Sequence, residues 1–310
     1  MKVAILNNWC NDEQFFIYKL LKQLFPVELT NDPINCDILI HSVFGFDESY
    51  KHTKAKFKIL TSWETRFYID IFNERLPYSD IVISYHPTKN NFYRLPLWYQ
   101  WIDWWNENSS DQVTTVCGQS HHYIGGNTLP NHLVPTPLNI RKNIYTAPSV
   151  RKRPNFCAML VGNMEPECVA PRQEIYNELS KNIDVVSGFG LAFQNRFEGN
   201  KIELLTRFKA NCCYENSIHR GYTTEKILDA IFAGCLPIYS GDPEYSKIDF
   251  NQKRFLNRQD YSSTAEFVKE VKSVMEDKFE FDDIINQPMF TDNQIPNLDG
   301  IYQFLEDKIK

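Results

Sequence analysis

One stretch constrains this chain more than any other. From Asn211 to Gly241 it reads as a short buried strand, a polar loop, an amphipathic helix and a second strand. Residues 214–230 are YENSIHRGYTTEKILDA. On a helical wheel Ile227, Leu228, Ile231 and Phe232 share one side, and Glu225, Lys226 and Asp229 take the other. The apolar side is expected to pack on a sheet, leaving the charged first turn open. Thr223 or Thr224 can cap the helix, Gly234 can end it and Pro237 forbids its continuation. Free N–H groups, the positive end of the helix dipole and Lys226 beside it make this helix start an anion site.

The rest of the chain sets that unit in an α/β class. Residues 3–6, 37–42, 58–61 and 80–84 read as strands, and residues 13–25 as a helix with Phe16, Leu20, Leu21 and Leu24 on one side. Unbroken apolar runs at 38–40 and 81–83 suit parallel strands covered on both faces. A polar segment at 106–135 is expected as a mobile loop. Pro135, Pro137, Pro148 and Pro154, with the basic residues 151–153, mark a linker. A second α/β series then opens with a strand at 156–161. A helix begins at 171–179 with Arg172 in its first turn, a strand runs over 184–187, and a helix over 202–208. Amphipathic helices follow at 263–275 and 297–309, the last placed to cross back onto the first domain. At 310 residues the chain suits two domains, 1–145 and 146–310.

Composition prunes the functions. A net charge of −6 argues against a nucleic-acid binder, which needs a basic face. The eight cysteines show no CxxC spacing and read as reduced thiols of a cytoplasmic protein. No run approaches the length of a membrane span, so membrane contact is limited to a peripheral one through exposed aromatics. The adjacent His121 and His122 lack a third ligand at suitable spacing, and no metal site is expected. GxGxxG, the P-loop and the GxSxG elbow are all absent, as is Asp-x-Asp. Ligands of open parallel sheets sit beyond the carboxyl ends of strands, which singles out Glu64 after the strand at 58–61. Residues 92–105 hold four of the six tryptophans. They read as core, or, at Trp98 and Trp101, as a stacking platform for an acceptor sugar. What remains fits a two-domain, metal-independent transferase that uses a nucleotide-activated donor.

The motif YENSIHRGYTTEKILDA, followed by GCLPIYSG at 234–241, closely resembles the donor-binding signature of the family 10 α-1,3/4-fucosyltransferases of glycosyltransferases. The resemblance extends to PRQEIYNEL at 171–179, TSWE at 61–64 and RLPLWY at 94–99. It implies two Rossmann-like domains facing across a cleft, the GT-B type, with acceptor on the first and GDP-fucose on the second. It implies inverting transfer of fucose from GDP-β-L-fucose to a sugar hydroxyl, the 3-OH of N-acetylglucosamine or glucose in a lipopolysaccharide-type or Lewis-type glycan. By position, Glu64 is the general base, Arg172 and Lys226 neutralise the diphosphate, Glu225 faces the fucose, and Asn216 and Tyr222 line the donor site. No cofactor is expected beyond the donor, and whether a divalent metal stimulates turnover is not legible in the sequence. Residues 184–190 are the candidate for reading the guanine, and the carboxylates of the two domains are expected to meet the sugar only on closure. Lack of an N-terminal anchor resembles the bacterial members. The competing readings are a transferase of another nucleotide-activated sugar and a non-catalytic glycan-binding protein; oligomeric state is not legible.

Overall fold

The fold is described from a computed structural model, which covers residues 1–8, 10–64, 68–105, 123–124, 131–183, 186–197 and 199–310. The N-terminal half supplies β1 (Lys2–Leu6), α1 (Phe16–Leu24), β2 (Glu28–Leu29), β3 (Ile38–Ser42), β4 (Phe57–Ser62), α2 (Ile69–Arg75), β5 (Ile81–Ser84) and β6 (Phe92–Arg94). The six strands form one parallel sheet in the order β2-β1-β3-β4-β5-β6. Val3, Ile38, Leu39, Ile40, Ile59 and Ile83 are wholly buried in it. That is the physical content of the unbroken apolar runs: with both faces of the sheet covered, no polar alternation is needed.

The chain then passes through β7 (Tyr123–Ile124), α3 (Pro137–Lys142) and α4 (Ala147–Arg151). The C-terminal half follows with β8 (Asn155–Leu160), α5 (Pro166–Asn182), β9 (Val186–Phe189), β10 (Gly199–Asn200), α6 (Lys201–Leu205) and β11 (Phe208–Tyr214). Next come α7 (Glu225–Phe232), β12 (Leu236–Ser240), α8 (Tyr245–Asp249), β13 (Leu256–Asn257), α9 (Thr264–Glu276), α10 (Lys278–Asn286) and α11 (Asp299–Ile309). A second parallel sheet has the order β13-β12-β11-β8-β9, and β7 pairs antiparallel with β10. Two parallel sheets, each flanked by helices, meet the expected α/β, GT-B arrangement.

Several local expectations need correction. The helix expected at 171 starts at Pro166, where a proline at the first helical position gives up only an orphan N–H, so Arg172 lies in the second turn. The helix expected over 202–208 stops at Leu205, because Phe208 already opens β11. Most of the segment 106–135, including His121 and His122, lies outside the described residues, as do residues 184 and 185.

Three contacts help to join the halves. Helix α11 packs on α1, with Phe304 against Tyr93 and Tyr302 accepting a hydrogen bond from the Trp105 indole at 3.0 Å. The C-terminal helix therefore crosses back, as expected. Trp98, in the 3-10 turn Leu97–Trp101, is 1% exposed and packs against Phe250 and Phe290 of the other half. Arg94, at the end of β6, donates to both carboxylate oxygens of Asp249 at 2.7 Å and to the carbonyl of Gly221 at 2.8 Å.

Candidate active site

The α7 side of the site is organised by a residue that the sequence reading left unassigned. Glu215 directly follows β11, and its side chain is fully buried. Its carboxylate accepts from the Thr224 N–H at 2.8 Å, the Thr224 hydroxyl at 2.7 Å, the Tyr239 hydroxyl at 3.1 Å and the Lys226 ammonium at 3.2 Å. One acid thus closes the loop 216–223 and satisfies a donor at the helix start. It also holds the Lys226 ammonium, which lines the cleft between the sheets. The signal was present, since the strand-end argument that selects Glu64 after β4 selects Glu215 after β11 equally well.

Of the two candidate caps, Thr224 caps α7, accepting weakly from the Lys226 N–H at 3.4 Å. Thr223 instead donates its hydroxyl to Asp249 and accepts from Arg94 at 2.9 Å. Gly234, at φ +78°, ends the helix in the left-handed conformation that glycine tolerates. Gly221, at φ +87°, has no room for a side chain: a Cβ there would collide with the carbonyl oxygen of Tyr85 in the N-terminal half. Its N–H donates to Asp242 at 2.5 Å. The loop 216–223 is therefore fitted against both halves.

Between the sheets lies a cleft of about 700 Å³. Glu64, Phe44, Leu97 and Trp101 line it from the N-terminal half, and Asn216, Tyr222, Thr224, Glu225 and Lys226 from the α7 side. Residues 160–162, Gly190, Leu191, Arg196, Phe197 and Lys201 also line the second wall. The carboxyl ends of the strands β4 and β11 bring Glu64 and the α7 start together across more than 150 residues of chain. Burial pushes the Glu64 carboxyl above its ordinary value; Lys226 opposes this and Glu225 adds to it. Glu225 thus acts electrostatically on Glu64 across the cleft. Tyr222 is buried beside them, its hydroxyl pKa driven up by burial and then by Glu215, Glu64 and Glu225.

Two candidates fall elsewhere. Trp98 cannot stack on an acceptor, because its ring is enclosed between the halves and its indole N–H donates to Asp249 at 3.3 Å. Trp101 remains on the cleft wall. Arg172 is buried behind the cleft rather than on it. Its guanidinium donates to the Tyr214 carbonyl at 2.8 Å, to Asn216 Oδ1 at 2.6 Å and to the Cys168 carbonyl at 3.3 Å. In this structure it positions Asn216. Of residues 184–190, Gly190 reaches the cleft. Among the described residues, no cluster of three or more His, Cys, Asp or Glu side chains could hold a metal. Nor is any described helix long and apolar enough to cross a membrane.

Known proteins resemble this chain in both sequence and shape. It is 25% identical to the alpha-(1,3)-fucosyltransferase FucT of Helicobacter pylori, over 99% of this chain and 63% of that protein. It is 32% identical to human 4-galactosyl-N-acetylglucosaminide 3-alpha-L-fucosyltransferase 9, over 42% of this chain and 35% of that protein. The chain thus spans less than two thirds of the length of either relative. A crystal structure of an alpha1,3-fucosyltransferase shares its fold, with a TM-score of 0.67 at 22% identity, covering 100% of this chain and 90% of that one. The same kind of enzyme with GDP-fucose matches with a TM-score of 0.66 at 23% identity, at the same coverage. Residues 150–284 match the family model described as glycosyltransferase family 10 (fucosyltransferase) C-term. The segment that holds α7 and both of its flanking strands lies within that match.

Proposed function

We propose that this protein is an α-1,3-fucosyltransferase that moves L-fucose, with inversion, from GDP-β-L-fucose to a glycan hydroxyl. The acceptor in this reading is the 3-OH of N-acetylglucosamine or glucose in a lipopolysaccharide-type chain. The observation that carries it is the cleft in which Glu64 faces Glu225 and Lys226 across the two halves. The sequence similarity to FucT, and the GDP-fucose held by a protein of the same fold, support the choice of donor. The chain divides near residue 145 into an acceptor-side and a donor-side domain. Seven described cysteines, none in a disulfide, suit a reducing, cytoplasmic setting.

In this mechanism Glu64 accepts the proton of the acceptor hydroxyl. The oxygen attacks the anomeric carbon as the bond to the phosphate oxygen breaks, and GDP leaves with the electron pair. A base of this kind contributes roughly 10²–10⁴-fold. A carboxyl held above its usual pKa is a stronger base once ionised, which suits proton abstraction from a weakly acidic hydroxyl. Glu225 faces the sugar as positive charge develops, and Lys226 and the α7 N–H groups face the leaving phosphate, where fixed dipoles and cations stabilise charge without reorganising. Asn216, oriented by Arg172, and Tyr222 line the donor. The test is calorimetry with GDP and GDP-fucose, then labelled GDP-fucose with a panel of acceptors and product linkage by NMR. Absence of binding at millimolar GDP would end this reading.

A further inference from the structure

Two lysines, rather than one, line the donor side of the cleft, and each is held from behind by a buried carboxylate. Lys226 Nζ is 3.2 Å from Glu215, whose side chain is fully buried. Lys201 Nζ is 2.7 Å from Asp229, whose side chain is 2% exposed. The lysine side chains keep 20% and 16% of their surface, and both border the cleft. A lysine–carboxylate pair sealed in a core is neutral or unfavourable for stability, since desolvation cancels the attraction. At a cleft wall the same pair does something else: it fixes an ammonium in one place and leaves further N–H donors for a ligand.

Lys201 opens α6, and the position of its partner Asp229 along α7 narrows its role. Asp229 lies four residues beyond Glu225, so both carboxylates occur on neighbouring turns of one helix face. Burial works against the Lys201 charge, but Asp229 and then Glu225 more than offset it, and its pKa is raised. Lys201 therefore lies within the field of the carboxylate assigned to the sugar. Arg172, by contrast, is engaged with two carbonyls and Asn216 and does not border the cleft.

We propose that Lys201 is a second leaving-group cation, contacting the phosphate oxygen released from the anomeric carbon, with Asp229 as its positioning residue. When the carbon–oxygen bond breaks, the electron pair stays on that oxygen and the ammonium stabilises it without giving up a proton. The assignment rests on the reading that the donor is a nucleoside diphosphate sugar.

Calorimetry with GDP and with guanosine, combined with transfer assays, separates the two ideas. Loss of one charge-assisted contact in Lys201→Met should weaken GDP binding about tenfold. Guanosine binding should not change. The transfer rate constant should fall about 10²-fold, the scale for removing one preorganised donor. Lys201→Arg should recover most of both. Should Lys201→Met fail to fold, Asp229→Asn releases the ammonium and should weaken GDP at least about threefold. Wild-type GDP affinity in the folded variant, or an equal loss of GDP and guanosine, overturns the assignment. If the wild-type protein itself binds no GDP, the donor reading fails instead.

Discussion

The two walls of the cleft are built on different principles. The α7 wall is over-determined: Glu215 alone takes four hydrogen bonds from three residues, and Lys226 and Lys201 each have a buried carboxylate behind them. On the β4 wall Glu64 stands at a strand end, and burial disfavours its ionised form. The α7 wall is suited to holding a charged ligand without reorganisation, whereas the β4 wall stores a carboxylate in a state that favours taking up a proton. Preorganised charge on one side and a raised pKa on the other are complementary requirements of group transfer to a hydroxyl.

Substitutions can break that contrast. The largest effect is expected from Glu64→Gln, which should lower transfer by about 10²–10⁴-fold while GDP affinity stays at the wild-type value. Its Tm at neutral pH should equal or exceed that of the wild type, because the substitution removes a charge that burial disfavours. Retained transfer would take the base role from Glu64. Glu215→Ala comes next. Removing one partner of a buried ion pair typically costs about 3–5 kcal/mol, so a clear drop in Tm and weaker GDP binding are both expected. An unchanged melting curve would show that the α7 wall does not depend on this acid.

Trp101→Ala should raise KM for the acceptor severalfold with little change in donor binding, and equal donor and acceptor losses would remove Trp101 from the acceptor side. The smallest expected effect is on acid stability. Buried His41 and half-buried His86 have pKa values lowered to about 3 and about 4 by burial, followed by Arg75 and Lys58 for His41 and by His219 and Lys89 for His86. Their unfolded value is 6.5, so the unfolded chain takes up protons first and their stabilisation is lost as pH falls from 6.5 toward 4. Glu64 runs the other way, since its raised pKa favours the fold as it protonates. Tm should fall between pH 7 and 5, and by less in His41→Asn; an equal fall in that variant would exclude His41 as a source.

Much of the α7 wall was legible in the sequence because its parts are contiguous. Thr224, Glu225, Lys226, Gly234 and the apolar side of α7 lie within eleven residues, and helix spacing alone relates them. Strand-end logic reached Glu64, yet the same logic was not extended to Glu215. The site fared worse where partners are distant. Lys201 and Asp229 are 28 positions apart, and nothing in either neighbourhood announces the pair. Trp98 and Trp101 sit three apart in one aromatic run, and only packing of Phe250 and Phe290 seals the former while the latter stays on the cleft.

By itself the sequence determined the α/β class, the parallel strands and the helix start with its neighbouring charges, because these follow from backbone sterics and from periodicity over a few residues. Only the tertiary structure decided which charges are spent. Arg172 turned inward to carbonyls, Lys226 and Lys201 gained buried counter-charges, and Arg94 bound Asp249 and the Gly221 carbonyl across the two halves. The physical reason is that solvation and Coulomb terms depend on distance through space, and the chain that sets those distances is folded over more than 150 residues.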